Sequence, residues 1–141
     1  MLQKITLFFI ALLLYSCSPE DNIITNIDSF DIDIRKGEDI IDYMEIKAVA
    51  TLSHDVDIIY AGNKYRNYLI TTNIKSLMKY SLSDYANNIE IVFNAINKAD
   101  YTRNIDMDIH FINSQNDSKT TRKIKKTISP KTSITFKCKY R

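Results

Sequence analysis

The segment that decides the fold spans residues 30–35 and reads Phe-Asp-Ile-Asp-Ile-Arg, with an apolar side chain at every second position. Successive side chains of a β-strand point to opposite faces of the sheet, so this period of two predicts a strand with one buried face. The same pattern returns at 44–52, 89–95, 105–111 and 132–140. Further strands are predicted at 56–60, which is short and apolar, at 65–72, which is β-branched and aromatic, and at 120–128, with turn residues about every 8–12 positions.

About eight short strands of this kind favour two antiparallel sheets packed face to face. Strands of a parallel sheet would show continuous apolar runs instead of alternation. We therefore predict an all-β domain over residues 29–141, with the architecture of an immunoglobulin-like β-sandwich. The prediction concerns architecture alone, because the chain has no Trp and so lacks the immunoglobulin Cys-Trp-Cys signature.

Residues 73–88 are the ambiguous part of the pattern. Their apolar residues are spaced as on one face of a helix, at Ile74, Leu77, Met78, Leu82 and Tyr85. Thr72 or Asn73 could cap that helix, whereas residues 79–82 would fit a strand crossing between sheets equally well. We favour one short helix around residues 74–86.

The N-terminus has the layout of a secretory signal. Lys4 precedes an uncharged run of 11 residues, Ile5 to Tyr15, and then Ser16 and Cys17. As a helix this run would rise about 16 Å, roughly half of the hydrocarbon core of a bilayer. The run therefore predicts a cleaved leader and not a permanent membrane span.

The residues Leu14-Tyr15-Ser16-Cys17 resemble the lipobox of bacterial lipoproteins, which a dedicated signal peptidase cleaves before the cysteine. The resemblance implies a signal peptide over residues 1–16 and a tether over 17–28. It also implies that Cys17 is the mature first residue and carries fatty chains, palmitate among them, on its sulfur and amine.

The residues after the cysteine indicate a cellular location. Ser18 at this position is similar to the sorting signal of outer-membrane lipoproteins, and Pro19-Glu20-Asp21 is similar to the acidic tag of surface-exported lipoproteins in Gram-negative bacteria. Glu20 and Asp21 are equally well explained as the start of a solvated tether. The expected location is the cell envelope, as an outer-membrane lipoprotein exposed at the surface.

The chain has two cysteines, Cys17 and Cys138. Two cysteines in an exported protein would ordinarily predict a disulfide. If Cys17 carries lipid, however, Cys138 has no partner in the sequence. Because Cys138 lies on the apolar side of the alternation in residues 134–140, we expect a buried thiol that packs as a small hydrophobic residue.

Charge is balanced in total and segregated along the chain. The 19 basic and 17 acidic residues give no surplus typical of a nucleic-acid-binding protein, and an exported protein seldom meets nucleic acid. Acids dominate residues 17–60, whereas residues 119–141 contain nine cations and no acid. This segment predicts either a basic patch for lipopolysaccharide phosphate, an acidic glycan or an acidic protein, or cross-strand pairing with the acidic strands. Lys123, Lys125 and Lys126 are the candidate ligand-binding residues.

Tyrosines are frequent in the middle of the chain, at Tyr60, Tyr65, Tyr68, Tyr80, Tyr85 and Tyr101. Exposed aromatic side chains bind sugars and proteins, so Tyr65 and Tyr68 are further candidate binding residues. Ordinary packing of tyrosines in strands and core is the alternative explanation.

No pattern indicates catalysis, a metal or a cofactor. The three Asp-x-Asp pairs, 31/33, 55/57 and 106/108, lack the glycine and distal Glu of a calcium loop, although Asp55 and Asp57 are closest to a turn. His54 and His110 have no Cys/His cluster around them. Gly37 and Gly62 are too far apart for a glycine-rich phosphate loop.

These observations together predict a non-enzymatic, lipid-anchored envelope protein. It would bind or scaffold another surface component, with the membrane as its first partner through the chains on Cys17. The alternative is a dedicated module for an acidic glycan or a protein, using the basic C-terminal strands or the tyrosines. A small membrane-held inhibitor or hydrolase is the less favoured alternative.

Overall fold

The computed structural model of the chain describes residues 24–34, 44–52, 55–71, 74 and 77–140. The predicted signal peptide, Cys17 and His54 lie outside the described residues. Among the residues that are described, no helix is long and apolar enough to cross a membrane.

The described chain is built from ten β-strands. They are β1 Ile27–Ile34, β2 Met44–Leu52, β3 Asp57–Tyr60, β4 Asn63–Arg66, β5 Tyr68–Thr71, β6 Met78–Ala86, β7 Ile89–Asn97, β8 Arg103–Asn113, β9 Ser118–Ile128 and β10 Ser133–Tyr140. Six form one sheet in the order β4-β3-β6-β1-β8-β9, and four form the other in the order β10-β7-β2-β5. Every pairing is antiparallel.

The two sheets pack into a sandwich, which confirms the predicted all-β class. The alternation seen in the sequence is the alternation of burial: on β7, for example, every odd-numbered position from Ile89 to Asn97 is buried. The immunoglobulin arrangement itself is not confirmed. Constant-type immunoglobulin domains hold their first two strands side by side in one sheet, whereas β1 and β2 lie in different sheets here.

The predicted helix around residues 74–86 is wrong, because residues 78–86 form strand β6 between β1 and β3. Tyr80 and Leu82 are buried with the period of a strand. The register with β1 then shifts, so that Ile27 pairs with Ala86 and Ser29 with Ser81. Met78 and Leu82 lie four positions apart, a spacing that fits one face of a helix and one face of a strand equally well, so the sequence pattern alone did not separate the two.

A line of aromatic rings holds the sheets together. Phe30 stacks on Tyr80 with ring centroids 4.9 Å apart, and it lies 6.5 Å from Phe111 in the same sheet. Phe111 stacks across the interface on Tyr140 of the other sheet at 4.6 Å. The Tyr80 hydroxyl shares a 3.1 Å hydrogen bond with Thr71 of the facing sheet, so its polar atom is satisfied inside the core.

Replacing Phe111 by Ala is expected to lower the free energy of unfolding by about 3–5 kcal/mol, because the ring is fully buried and links both sheets. Urea denaturation followed by circular dichroism measures the change. Ile70→Thr is the control, since Ile70 is 55% exposed and Thr keeps the β-branched shape, and it should change stability by less than about 0.5 kcal/mol. Equal effects of the two substitutions would contradict this account of the core.

Candidate functional site

The cations of the C-terminal segment come together on one side of the sandwich. β9 is the edge strand of the six-stranded sheet and β10 is the edge strand of the four-stranded sheet. The two edges are neighbours, because side chains of β9 lie over aromatic rings of β10. We call the seven cations of these strands the cationic edge: Lys119, Arg122, Lys123, Lys125, Lys126, Lys137 and Lys139. Neither strand contains an acid.

Two of the seven cations close the gap between the sheets. Arg122 and Lys126 lie two positions before and after the buried Ile124, so they share its inward face of β9. The guanidinium carbon of Arg122 lies 5.1 Å from the ring centroid of Tyr140, and Nζ of Lys126 lies 5.8 Å from that of Phe136. Both distances are typical of cation–π contacts. The apolar stems of these side chains therefore cover the open side of the core while both residues stay partly exposed.

The three lysines predicted to bind a ligand do not share one face of β9. Lys123 and Lys125 are exposed on the outer face of the six-stranded sheet, whereas Lys126 belongs to the inward set over Phe136. Adjacent residues of a strand necessarily point to opposite faces. The outward set comprises five exposed lysines, three from β9 and two from β10: Lys119, Lys123, Lys125, Lys137 and Lys139.

The acids opposite β9 belong to β8 and not to the acidic N-terminal segment. In the register, Lys123 lies opposite Asp108 and Lys125 opposite Asp106. β1, which carries Asp31 and Asp33, pairs with the other side of β8. Strand β8 therefore separates the two oppositely charged segments, and direct pairing of β1 with β9 does not occur.

The centre of the outer face of the six-stranded sheet is acidic. Asp33 lies directly opposite Asp108, which is only 8% exposed, and Asp31 lies opposite His110. Burial raises the pKa of Asp31 above its ordinary value of 3.8, although Lys79, His110 and Lys119 pull it down. Because the native pKa is raised, ionising Asp31 requires more free energy in the folded protein than in the unfolded chain.

The Asp31→Asn variant is expected to gain stability relative to the wild type as pH rises. A carboxyl group whose pKa is higher in the native than in the unfolded state binds more protons when folded, so wild-type stability falls as pH increases from the unfolded value through the native one. Urea unfolding of both proteins at pH 3 and pH 7 measures the difference. A variant that loses stability relative to the wild type between these pH values would contradict the sign.

The tyrosines do not form one platform. Tyr65 packs partly buried against the core from β4, whereas Tyr68 is 45% exposed on β5 of the other sheet. Tyr60 and Tyr80 meet at 4.9 Å between their ring centroids, where Tyr80 is buried in the core. Tyr101 contacts Arg103, whose Nη1 donates a 2.8 Å hydrogen bond to the Tyr101 hydroxyl. Tyr68 is thus the exposed member of the predicted pair, and Tyr65 is mainly a packing residue.

The Asp-x-Asp pairs gather no metal-binding group. Within the described part of the chain, no three His, Cys, Asp or Glu side chains are close enough to hold a metal ion. Asp55 occupies a turn with a φ of 69°, and Asp57 lies opposite Arg66 on β4. His110 Nδ1 is 2.9 Å from the hydroxyl of Thr121, a hydrogen bond that accounts for one of its two ring nitrogens.

Cys138 is fully buried and faces the core between Phe136 and Tyr140, as its place in the alternation predicts. The predicted lone thiol is wrong for the chain in this structure, because Cys138 is disulfide-bonded. The sequence contains one other cysteine, Cys17, which lies outside the described residues.

A long-range contact that the sequence analysis missed fixes the start of the folded domain. The hydroxyl of Tyr140 accepts a 2.7 Å hydrogen bond from the Ile24 amide and donates one to the Ile24 carbonyl. The two residues are 116 positions apart, and no local pattern predicts a contact over that distance. Asn113 adds a 3.3 Å hydrogen bond from Nδ2 to the Thr25 carbonyl. The point where the predicted tether enters the fold therefore lies beside β10 and the end of β8.

The Tyr140→Phe variant is expected to lose about 1–3 kcal/mol of stability, because it leaves two buried backbone groups of Ile24 without their hydrogen-bond partner. Amide hydrogen exchange should also quicken at Ile24. Tyr68→Phe is the matched control, since it removes an exposed hydroxyl and should change neither measurement. Unchanged exchange at Ile24 in Tyr140→Phe would contradict the role given to this contact.

Comparisons with known proteins identify a fold and no family. No family model matches the sequence, and no curated protein matches it. Among solved structures, the crystal structure of a DUF4425 family protein from Bacteroides ovatus is similar, with a TM-score of 0.61. The match covers 82% of this chain and 96% of that chain at 6% sequence identity. Such a likeness shows the fold alone.

Proposed function

We propose that this chain is a non-enzymatic lipoprotein of the cell envelope, anchored through Cys17, whose cationic edge binds an anionic component of the bacterial surface. The observation that carries the binding role is the accumulation of seven cations and no acid on two neighbouring edge strands. Five of these cations are exposed, on both outer faces of the sandwich.

The lipobox-like residues 14–17, at the end of an apolar run, support the anchor. Each buried methylene contributes about 0.8 kcal/mol to membrane binding, and one acyl chain alone holds a protein only marginally. Several chains on Cys17 would make attachment effectively permanent. The proposed location is accordingly the outer membrane, with the domain exposed at the surface.

The two cysteines make the anchor directly testable. Acylation and disulfide formation compete for the sulfur of Cys17, because the chain has only these two cysteines and Cys138 is disulfide-bonded in the structure. Cells expressing the wild type, Cys17→Ser or Cys138→Ser are grown with a labelled palmitate analogue. We expect label on the wild type and on Cys138→Ser, and none on Cys17→Ser.

Peptide mapping without reducing agent completes this experiment. Recovery of the Cys17 peptide with fatty chains would support the anchor. Recovery of Cys17 and Cys138 as one linked peptide in an unlabelled protein would overturn it, and so would an intact leader peptide on the mature protein.

The binding role is tested by reversing charge at two exposed positions of β9. Lys119→Glu with Lys125→Glu should weaken binding to an immobilised sulfated polysaccharide about tenfold or more, and wild-type binding should fall as salt rises. The matched control reverses Lys64 and Arg66, two exposed cations of β4 at the opposite edge of the same sheet. Equal losses in both double variants would contradict a role for the cationic edge.

A further inference from the structure

The chain enters the fold at the same side of the sandwich that carries the cationic edge. Ile24 is held by Tyr140, whose ring lies under the guanidinium group of Arg122. Tyr140 is the last residue of β10, and Arg122 belongs to β9. The first described residue is therefore held by β10, whose Tyr140 ring is in turn covered by Arg122 of β9, and the neighbouring Asn26 amide is hydrogen-bonded to Asn87 after β6.

The sequence distance between the anchor and this point is short. Cys17 precedes Ile24 by seven positions. Seven residues in any conformation span at most about 25 Å. By comparison, β4 lies five strand spacings from β9 in the six-stranded sheet, which is about 24 Å at 4.8 Å per spacing. The two lengths are nearly equal, so the tether brings the domain to the bilayer but lets either edge face it, and the charge on the edges decides which one does.

The charge on this edge matches a bilayer surface. The outward lysines of β9 and β10 stand on opposite outer faces of the sandwich, so they straddle the edge where the two sheets meet. The acids one strand back from this edge are Asp106 and Asp108 on β8 and Glu90 on β7. Asp31 on β1 is also close enough to Lys119 for the two charges to interact. Lysine side chains can extend past a strand edge, and clusters of lysine are attracted to anionic membrane surfaces.

We infer that the domain lies on its side, with the cationic edge against phosphate-bearing lipid headgroups of the membrane that holds its own acyl chains. This inference rests on the proposed anchor and specifies the anionic component. The outward lysines of both strands contact the headgroups together. The opposite side of the sandwich, with exposed Tyr68 and Ile70 on β5, then faces away from the membrane.

The test measures which lysines the membrane covers. The lipidated protein is reconstituted into phosphatidylcholine vesicles with or without phosphatidylglycerol, treated briefly with an amine-reactive reagent, and mapped by mass spectrometry. In the anionic vesicles, labelling of Lys119, Lys125 and Lys139 should fall at least about threefold and recover at high salt. Lys64 on β4 is the internal control and should be labelled equally in both vesicles.

The position of Lys125 separates two orientations. It lies six residues along β9 from Lys119, which is about 20 Å further from the β8–β9 turn. A domain standing on the end where Ile24 enters would protect Lys119 and Lys139 but leave Lys125 labelled. That pattern, or equal labelling of all three lysines in the two kinds of vesicle, would overturn the inference.

Variants and a flotation control distinguish this inference from the proposed function. The Lys119→Glu/Lys125→Glu variant should lose the protection of Lys139 while still floating with the vesicles through its lipid, and Lys64→Glu/Arg66→Glu should retain both. Wild-type protein that fails to float contradicts the anchor itself. Wild-type protein that floats and binds the sulfated polysaccharide, but shows no protection in anionic vesicles, retains the proposed function and refutes the membrane as its partner.

Discussion

The buried side chain of Tyr140 is the contact on which the remaining structure depends most. Its ring stacks on Phe111 of the facing sheet, and the guanidinium group of Arg122 lies over that ring. Its hydroxyl is hydrogen-bonded to both the amide and the carbonyl of Ile24. One side chain thereby joins the two sheets, the first described residue and the last described strand. Because the same residue lies at the cationic edge, it links the packing of the core to the place where an anchored chain would meet its membrane.

The alternation of apolar residues was enough to predict the sandwich, but local pattern could not predict where strands end and which sheet they join. The predicted strand at residues 65–72 is in fact two strands in different sheets, separated at Asn67 with a φ of 44°. Residues 78–86 likewise became a strand and not a helix through pairing with β1 and β3, because the four-residue spacing of Met78 and Leu82 fits either structure. Both features arise from pairing between distant strands, which a single sequence does not encode locally.

The sequence predicted which residues make up the candidate site, but not how they are arranged in space. The run of cations after residue 118 is plain in the sequence, and its strand period already implied that Lys126 would point away from Lys123 and Lys125. The contacts of Lys126 with Phe136 and of Arg122 with Tyr140 required knowledge that β9 and β10 lie side by side in different sheets. The Ile24 contact required knowledge of the whole topology.

Protection against aggregation accounts for only part of the charge on β9 and β10. Lysines on edge strands discourage sheets of separate molecules from pairing, and β4 carries two exposed cations, Lys64 and Arg66. The fourth edge, β5, carries no charged residue at all, so the fold does not depend on charging every edge. Five outward lysines concentrated where β9 meets β10 exceed the two cations of β4, and the proposed anchor at Cys17 would give this surplus a partner in the membrane surface.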